Sequence, residues 1–301
     1  MLEGHVFLGF GFFLIGLWHL FNHIKLHALY SNSYTSTLWF PFRISRHLEL
    51  YFIMASCSLF IAMELFISPL HHHPLDPDGT IPSDHLHNFE HSSMALGFLV
   101  YATFAMVLDR KCIKAQHELT QLLGALAFVQ EFLLIHLHSR DHTGVEGQYH
   151  LLLQLLILVS LVTTLMGIGL PKSFMVGFVR SVCIVFQGVW LMVIGLMLTT
   201  PGFVAKGCSI HFKEDPYLVK CSDDKALHRA VSLVNLQFSW LLIGVTIFAM
   251  SFYLIGVTTG RGYGEKVEYF SLRKEGHCSE EDSLKNDLES QSQKTSMQEQ
   301  I

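Results

Sequence analysis

Histidine is unusually abundant in this sequence, and its placement indicates ligand or proton chemistry. The 301 residues include 19 His, most of which stand near the ends of long apolar blocks. Imidazoles and carboxylates together bind Zn²⁺ or another divalent metal of similar softness, and imidazole also exchanges protons near neutral pH. The residues that we predict to form such a polar site are Glu64, His87, His91, Glu131, His138 and His150.

The spacing of these residues favours shared helix faces. His87 and His91 are four residues apart, which places them one above the other on a helix. Glu131 and His138 are seven residues apart, which is two turns along one face. Ionisable side chains inside a membrane are costly and normally face the interior of a helix bundle. The alternative is a polar set that serves only helix packing and headgroup contacts.

The elements that must position these residues are membrane spans. Charged residues make up 15% of the chain, against about 25% in soluble domains, and the mean hydropathy is +0.39. A helix that crosses the hydrocarbon core needs about 20 residues. The sequence therefore predicts an all-α polytopic bundle of seven transmembrane helices. Its spans are Gly4–Ile24, His47–Ser68, His87–Asp109, Glu118–His138, Tyr149–Leu170, Phe174–Thr200 and His228–Thr258.

The Lys and Arg residues of the loops predict the orientation. They occur in the first, third and fifth loops, for example at Lys25, Arg110 and Lys172, the last with Arg180 nearby. The second loop, residues 69–86, has none, whereas the sixth loop is an exception with four Lys. The positive-inside rule then predicts an outside or lumenal N-terminus in the plasma membrane or an endomembrane. In this orientation the predicted site lies in the outer half of the bilayer.

The end of the chain differs from the rest in composition. We predict a transmembrane domain over residues 1–258 and a disordered cytosolic tail over residues 259–301, because the tail is polar and poor in apolar residues. Within the tail, Tyr269–Leu272 fits a tyrosine-based signal for sorting adaptors. A non-catalytic adaptor or trafficking protein is therefore an alternative function.

Other residue patterns narrow the function classes. Cys208 and Cys221 share a polar loop that we place outside, which makes them the disulfide candidate. There is no basic stripe, so we expect the lipid bilayer and not nucleic acid as a partner. The sequence has no Gly-rich phosphate loop and no nucleophile elbow, so we do not predict an enzyme. Nothing in the sequence indicates an oligomeric state.

A smaller polar set at the inner end raises a haem alternative. His19 and His23 lie four residues apart at the inner end of the first span, and His47 and Glu49 open the second. A histidine layer in each leaflet is typical of cytochromes with stacked bis-His haems. A haem electron carrier requires histidines on two facing helices at the same depth.

Glycines inside the spans predict close helix packing. Small residues allow two transmembrane backbones to approach each other. The glycines for which we predict this role are Gly9, Gly11, Gly124, Gly167, Gly188 and Gly195.

Several short elements, taken in order, resemble the transmembrane protein 45 family over about residues 4–255. They are Gly16-Leu17-Trp18, Glu131-Phe132, His136-Leu137-His138-Ser139-Arg140, His150 with Leu152-Leu153, and Gln187-Gly188-Val189-Trp190 with Ile194-Gly195. The resemblance implies a multi-pass protein of plasma membranes or endomembranes, with a domain of unknown function and, in some lineages, a link to stress or defence responses. It also implies that Glu131, His136, His138 and His150 belong to the family pattern.

Overall fold

The computed structural model describes most of the chain. The described residues are 2–30, 33–42, 44–67, 74–141, 144–211 and 218–262. Nearly all of them lie in the first of two compact units, residues 1–260, and the second, residues 261–301, is described only as far as Gly262. The sorting signal Tyr269–Leu272 lies outside the described residues. The division of the chain at residue 258 therefore stays a prediction.

Seven long helices correspond to the seven apolar blocks, and each is long and apolar enough to cross a membrane. This confirms the predicted all-α polytopic fold. Successive helices run in opposite directions, and we call the end of the bundle at which the first helix begins the upper end. The helices are α1 (Leu2–Leu29), α2 (Leu48–Ala62), α3 (Leu86–Arg110), α4 (Gln116–Asp141), α5 (Val145–Gly169), α6 (Phe174–Thr199) and α7 (Asp224–Gly262).

The closest helix contact joins α1 to α6, far apart in sequence. A Cβ atom added at Gly16 would lie 2.5 Å from the backbone nitrogen of Val185, and one added at Gly9 would lie 2.7 Å from the carbonyl oxygen of Gly188. Such approaches require glycine, which confirms the prediction for Gly9 and Gly188. The prediction for Gly11 was wrong, because nothing lies within 4 Å of its Cβ position.

Six helices form a ring in which α2, α3, α4, α5 and α6 are neighbours in turn. The ring closes through α1, which packs closely on α6 but touches α2 only sparsely. The seventh helix lies on the outside of the ring, with Ala230, Val234 and Ala249 buried and with Trp240 and Ile247 more than 60% exposed. Its apolar outer face is suited to lipid, because lipid tails are as apolar as leucine.

The connection between α1 and α2 folds back into the lower end of the bundle. Its described part, residues 33–42, is mostly buried although it is not helical. Buried backbone needs partners, and here Phe40 donates its N–H to Glu49 at 2.8 Å while Thr37 accepts a hydrogen bond from Arg180. We counted Arg180 as a charge near the fifth loop. The structure instead buries it completely, because its guanidinium binds this connection.

A short hairpin connects α6 to α7 at the upper end. Strand β1 (Cys208–His211) pairs antiparallel with β2 (Leu218–Cys221), and Cys208 lies opposite Cys221. A disulfide joins these two residues, so the cysteine pair that the sequence singled out is bonded.

Candidate metal centre

Histidines from four helices meet at the upper end of the bundle. The ring of His5, near the start of α1, lies 5.4 Å from that of His91 on α3. The rings of His138, near the end of α4, and His150, near the start of α5, are 4.9 Å apart. The end of α2 adds Glu64, which is 3% exposed. Antiparallel helices bring these ends together, although the residues are far apart in the chain.

A first group of possible ligands joins α2 to α3. Glu64, His87 and His91 each offer one donor atom, and these atoms lie within 4.8 Å of one another. Glu64 belongs to a π-helical turn, Met63–Ile67, that follows α2, and such turns occur frequently at functional sites. Its Oε1 atom lies 3.8 Å from Nδ1 of His91, while Asn88 donates a hydrogen bond to its Oε2 atom at 2.8 Å.

A second group, which is fully buried, joins α4 to α5. His138, Glu146 and His150 offer donor atoms that again lie within 4.8 Å of one another. Nδ1 of His150 is 3.0 Å from the carbonyl oxygen of Glu146, and because a carbonyl only accepts, this nitrogen carries the proton. Nε2 of His150 therefore keeps its lone pair, and it is buried with no hydrogen-bond partner.

His138 also has a partner at its Nδ1 atom. Its Nδ1 atom lies 3.0 Å from the carboxylate of Glu90, and an ionised carboxylate accepts the proton of that nitrogen, so that Nε2 is the donor atom left for a ligand. Metal-binding histidines usually donate their second ring N–H to a carboxylate or a backbone carbonyl, which orients the ring and fixes its tautomer. Both imidazoles of the second group have this support.

The two groups are neighbours. The ring of His138 lies 6.0 Å from those of His87 and His91. Each group provides imidazole nitrogen and carboxylate oxygen, the ligands that Zn²⁺ takes in proteins, and three protein ligands leave a fourth position open. The residues present therefore fit one divalent metal ion per group.

Glu131 belongs to neither group, although we predicted it as a ligand. Its Oε1 atom accepts a hydrogen bond of 2.6 Å from Gln187 on α6, whereas its Oε2 atom is buried with no hydrogen-bond partner. The residue also lines a cavity inside the ring of helices, together with His91 and His150. Its role as a ligand stays a prediction.

Three residues of this region were absent from the predicted ligand set. Glu146 lies four residues before His150, at a spacing that the sequence shows. His5 stands at the upper end of the first span, and its ring lies 6.2 Å from that of His150. Glu90 is adjacent to His91 and contacts His138 instead. Each residue lies at or beside a span end that the sequence assigns to the same side of the membrane, and this signal could have found them.

At the lower end of the bundle, buried polar side chains bind each other in pairs. Nε2 of His19 lies 2.7 Å from Oε1 of Glu49, and Nδ1 of His23 lies 2.7 Å from the hydroxyl of Tyr34. Burial raises the pKa of Tyr34 to about 12. These histidines stand on one helix and face a carboxylate and a phenol. The haem alternative for this end stays a prediction.

A second set of pairs at the lower end surrounds one carboxylate. Arg46 donates to both oxygens of Asp109, at 2.8 and 2.9 Å, and this bond raises the pKa of the Arg46 guanidinium. Nε2 of His47 lies 2.9 Å from the same carboxylate, and Gln116 donates to it at 2.7 Å. This network ties the start of α2 to the connection between α3 and α4.

A cavity of about 130 Å³ lies inside the ring of α1 to α6. Its upper end is bordered by His5, His91 and His150, and its lower end by His19 and Glu49. The wall between these two ends consists almost entirely of aliphatic and aromatic side chains. The polar groups of the upper end therefore open directly into an apolar chamber.

Seven apolar helices with a polar centre inside the bundle define a multi-pass integral membrane protein. Residues 117–254 match the model of a family described as a family of unknown function, DUF716, which is the family of transmembrane protein 45. The matched segment runs from α4 into α7 and includes the whole second group, His138, Glu146 and His150.

Proposed function

We propose that this protein binds divalent transition-metal ions of the Zn²⁺ type at the upper end of its bundle, one in each group. The observation that carries the proposal is the second group. His138, Glu146 and His150 offer three donor atoms within 4.8 Å in a buried place, and the Nδ1 atoms of both imidazoles are engaged elsewhere. This leaves the two Nε2 atoms as ligands.

The electrostatics of the region support a cation there. Glu64 and Glu146 are each 3% exposed, and a carboxylate removed from water is costly unless a positive charge compensates it. A divalent ion bound in each group would supply such a charge. Glu90, on the far side of His138, strengthens that imidazole as a ligand.

We further propose that the chain is a transmembrane protein 45 relative beyond the matched segment, on the strength of the ordered elements in α1, α4, α5 and α6. For the orientation we propose an outside or lumenal upper end. The disulfide Cys208–Cys221 at that end favours an oxidising compartment. Cys112, at the lower end, is also disulfide-bonded. Because a disulfide occurs at each end, the proposed orientation rests on the distribution of Lys and Arg.

The test is metal analysis of the full-length protein, purified in detergent and loaded with Zn²⁺. We expect one ion fewer per chain in His150→Ala and one fewer in His87→Ala, because each substitution removes an imidazole from a different group. The matched control is His136→Ala, since His136 also stands at the upper end of α4 but is exposed and belongs to neither group.

Equal metal content in His150→Ala and His136→Ala would contradict the proposal. The adaptor alternative expects that result, with the His150 variant changed only in stability. Replacement of Zn²⁺ by Co²⁺ should give visible bands that report nitrogen and oxygen ligands. The same absorption spectrum tests the haem alternative, because a haem protein shows a Soret band as purified.

A further inference from the structure

The central cavity borders a loosely packed seam. Its wall includes Gly11 on α1 and Phe52 on α2, the two helices of the ring that touch only sparsely. Phe52 is 38% exposed, and nothing lies within 4 Å of a Cβ atom placed on Gly11. The seam therefore has exposed apolar surface beside the apolar chamber, as an entry for a hydrocarbon chain requires.

The cavity is long and narrow. On α1 its wall extends from His5 to His19, which is about 21 Å at the rise of an α-helix. One leaflet supplies about half of the ~30 Å hydrocarbon core, or about 15 Å, so the cavity is long enough for an extended acyl chain that spans one leaflet.

The polar groups are unevenly distributed between the two ends of the cavity. At the lower end, His19 and Glu49 bind each other at 2.7 Å. At the upper end, His91 and His150 border the cavity and belong to the first and second metal groups. An oxygen atom at the upper end of the cavity would therefore lie beside one histidine of each metal group.

We infer that the cavity binds a long-chain fatty acid, with its carboxylate on the metal and its chain in the apolar chamber. Hydrocarbon gains little by moving from lipid into an apolar cavity, so the head group must supply the preference over simple partitioning. A carboxylate oxygen is a suitable fourth ligand for Zn²⁺. The inference rests on the proposed metal binding, and it adds the ligand class.

An ion path through the same cavity is the competing interpretation. Cavities lined by apolar side chains stay dry, and apolar constrictions stop ions by excluding water. Between the two ends the wall of this cavity is apolar except at Ser56 and Glu131, and one oxygen of Glu131 is bound by Gln187. The chamber is therefore better suited to a hydrocarbon chain than to a hydrated ion.

The experiment uses the full-length protein in lipid nanodiscs, with a photoreactive long-chain fatty acid as the probe. We expect saturable labelling that hexadecanoic acid competes away and that hexadecane does not. Gly11→Leu should reduce the labelling about tenfold, because the added side chain fills the seam. The matched control is Gly244→Leu, since Gly244 on α7 also has nothing within 4 Å but does not line the cavity.

Peptide mapping and metal analysis of the same samples separate the two proposals. Labelled peptides from α1 and α2 support the inference, and labelling that is equal in the Gly11 and Gly244 variants overturns it. If the metal is bound but the labelling ignores Gly11, the fatty-acid site fails alone. If no metal is bound and the labelling still depends on Gly11, the cavity binds the acid, but the metal proposal and the contact between carboxylate and metal both fail.

Discussion

Buried ionisable side chains are arranged differently at the two ends of the bundle. At the lower end each carboxylate has its own partners, as Glu49 has in His19 and Phe40, and Asp109 in Arg46. At the upper end, imidazoles and carboxylates crowd together in two groups of three donor atoms. Within the described residues no such group forms at the lower end. The lower end thus pairs its ionisable groups within the fold, while the upper end gathers the groups that we propose as metal ligands.

The largest effect on stability should come from Asp109→Ala at the lower end. This change leaves Arg46 and His47 without their shared carboxylate, and the loss of one partner from a buried ion pair costs several kcal/mol. Because Arg46 is partly exposed, we expect a loss of roughly 3 kcal/mol in unfolding free energy. Thermal unfolding in detergent measures it.

Bound metal should be unchanged in Asp109→Ala, and this separates the two ends. Asp78→Ala, in an exposed turn, is the control that should leave the unfolding midpoint in place. A loss of metal in the Asp109 variant would show that the lower end supports the upper one.

Removal of the metal from one group should give the next largest effect. An ion that binds only the folded state stabilises it by about 2.7 kcal/mol per site at a concentration one hundred times its dissociation constant. A chelator should therefore lower the unfolding midpoint of the unsubstituted protein. It should do so less in His150→Ala, which retains one group, and as much as before in Glu49→Gln. A chelator effect of equal size in all three proteins would argue against a metal at the upper end.

Alkaline pH should destabilise the lower end of the bundle. Tyr34 has a pKa of about 12 in the folded protein against 10.0 as an isolated side chain, because it is buried. Its contribution to stability is complete below pH 10 and is lost as the pH rises through 12. Without metal, the protein should lose about 2 kcal/mol more between pH 10 and pH 12 than Tyr34→Phe does. Parallel stability curves for the two proteins would contradict this.

The smallest effect should come from Glu49→Gln. The amide oxygen still accepts the N–H of Phe40, and the side chain still reaches His19, so we expect a change of about 1 kcal/mol or less. Metal content should stay the same. If the Glu49→Gln change removed one metal ion, the lower end would also be a metal site, and the contrast between the two ends would no longer hold.

Hydropathy and loop charge revealed the depth of each residue but not its neighbours. Span ends that share one side of the membrane must lie at the same level, which is why the sequence grouped Glu64, His87 and His138. The rotation of each helix and its partner in the ring depend on packing. For that reason the sequence could not show that Glu131 faces Gln187 on α6. Nor could it show that Glu146 lies beside His138 and His150.

Two further features lay beyond the sequence for the same reason. The glycines of the spans predict close packing but do not show which helix is the partner. The contact of Gly16 with Val185 could therefore not be predicted. Arg180 looked like a loop charge because it is near Lys172. Only the folded-back connection, whose polar backbone it binds, explains why an arginine is buried there.

The folded-back connection also has a consequence for biogenesis. Ser36 donates its N–H to the carbonyl oxygen of Pro171 at 2.6 Å, and Arg180 binds the same stretch from α6. This connection therefore obtains its partners only from residues synthesised about 140 positions later. Until α6 inserts, the polar backbone of this segment lacks these partners and needs water in their place. A nascent chain that stops before residue 180 cannot form the contacts with Arg180.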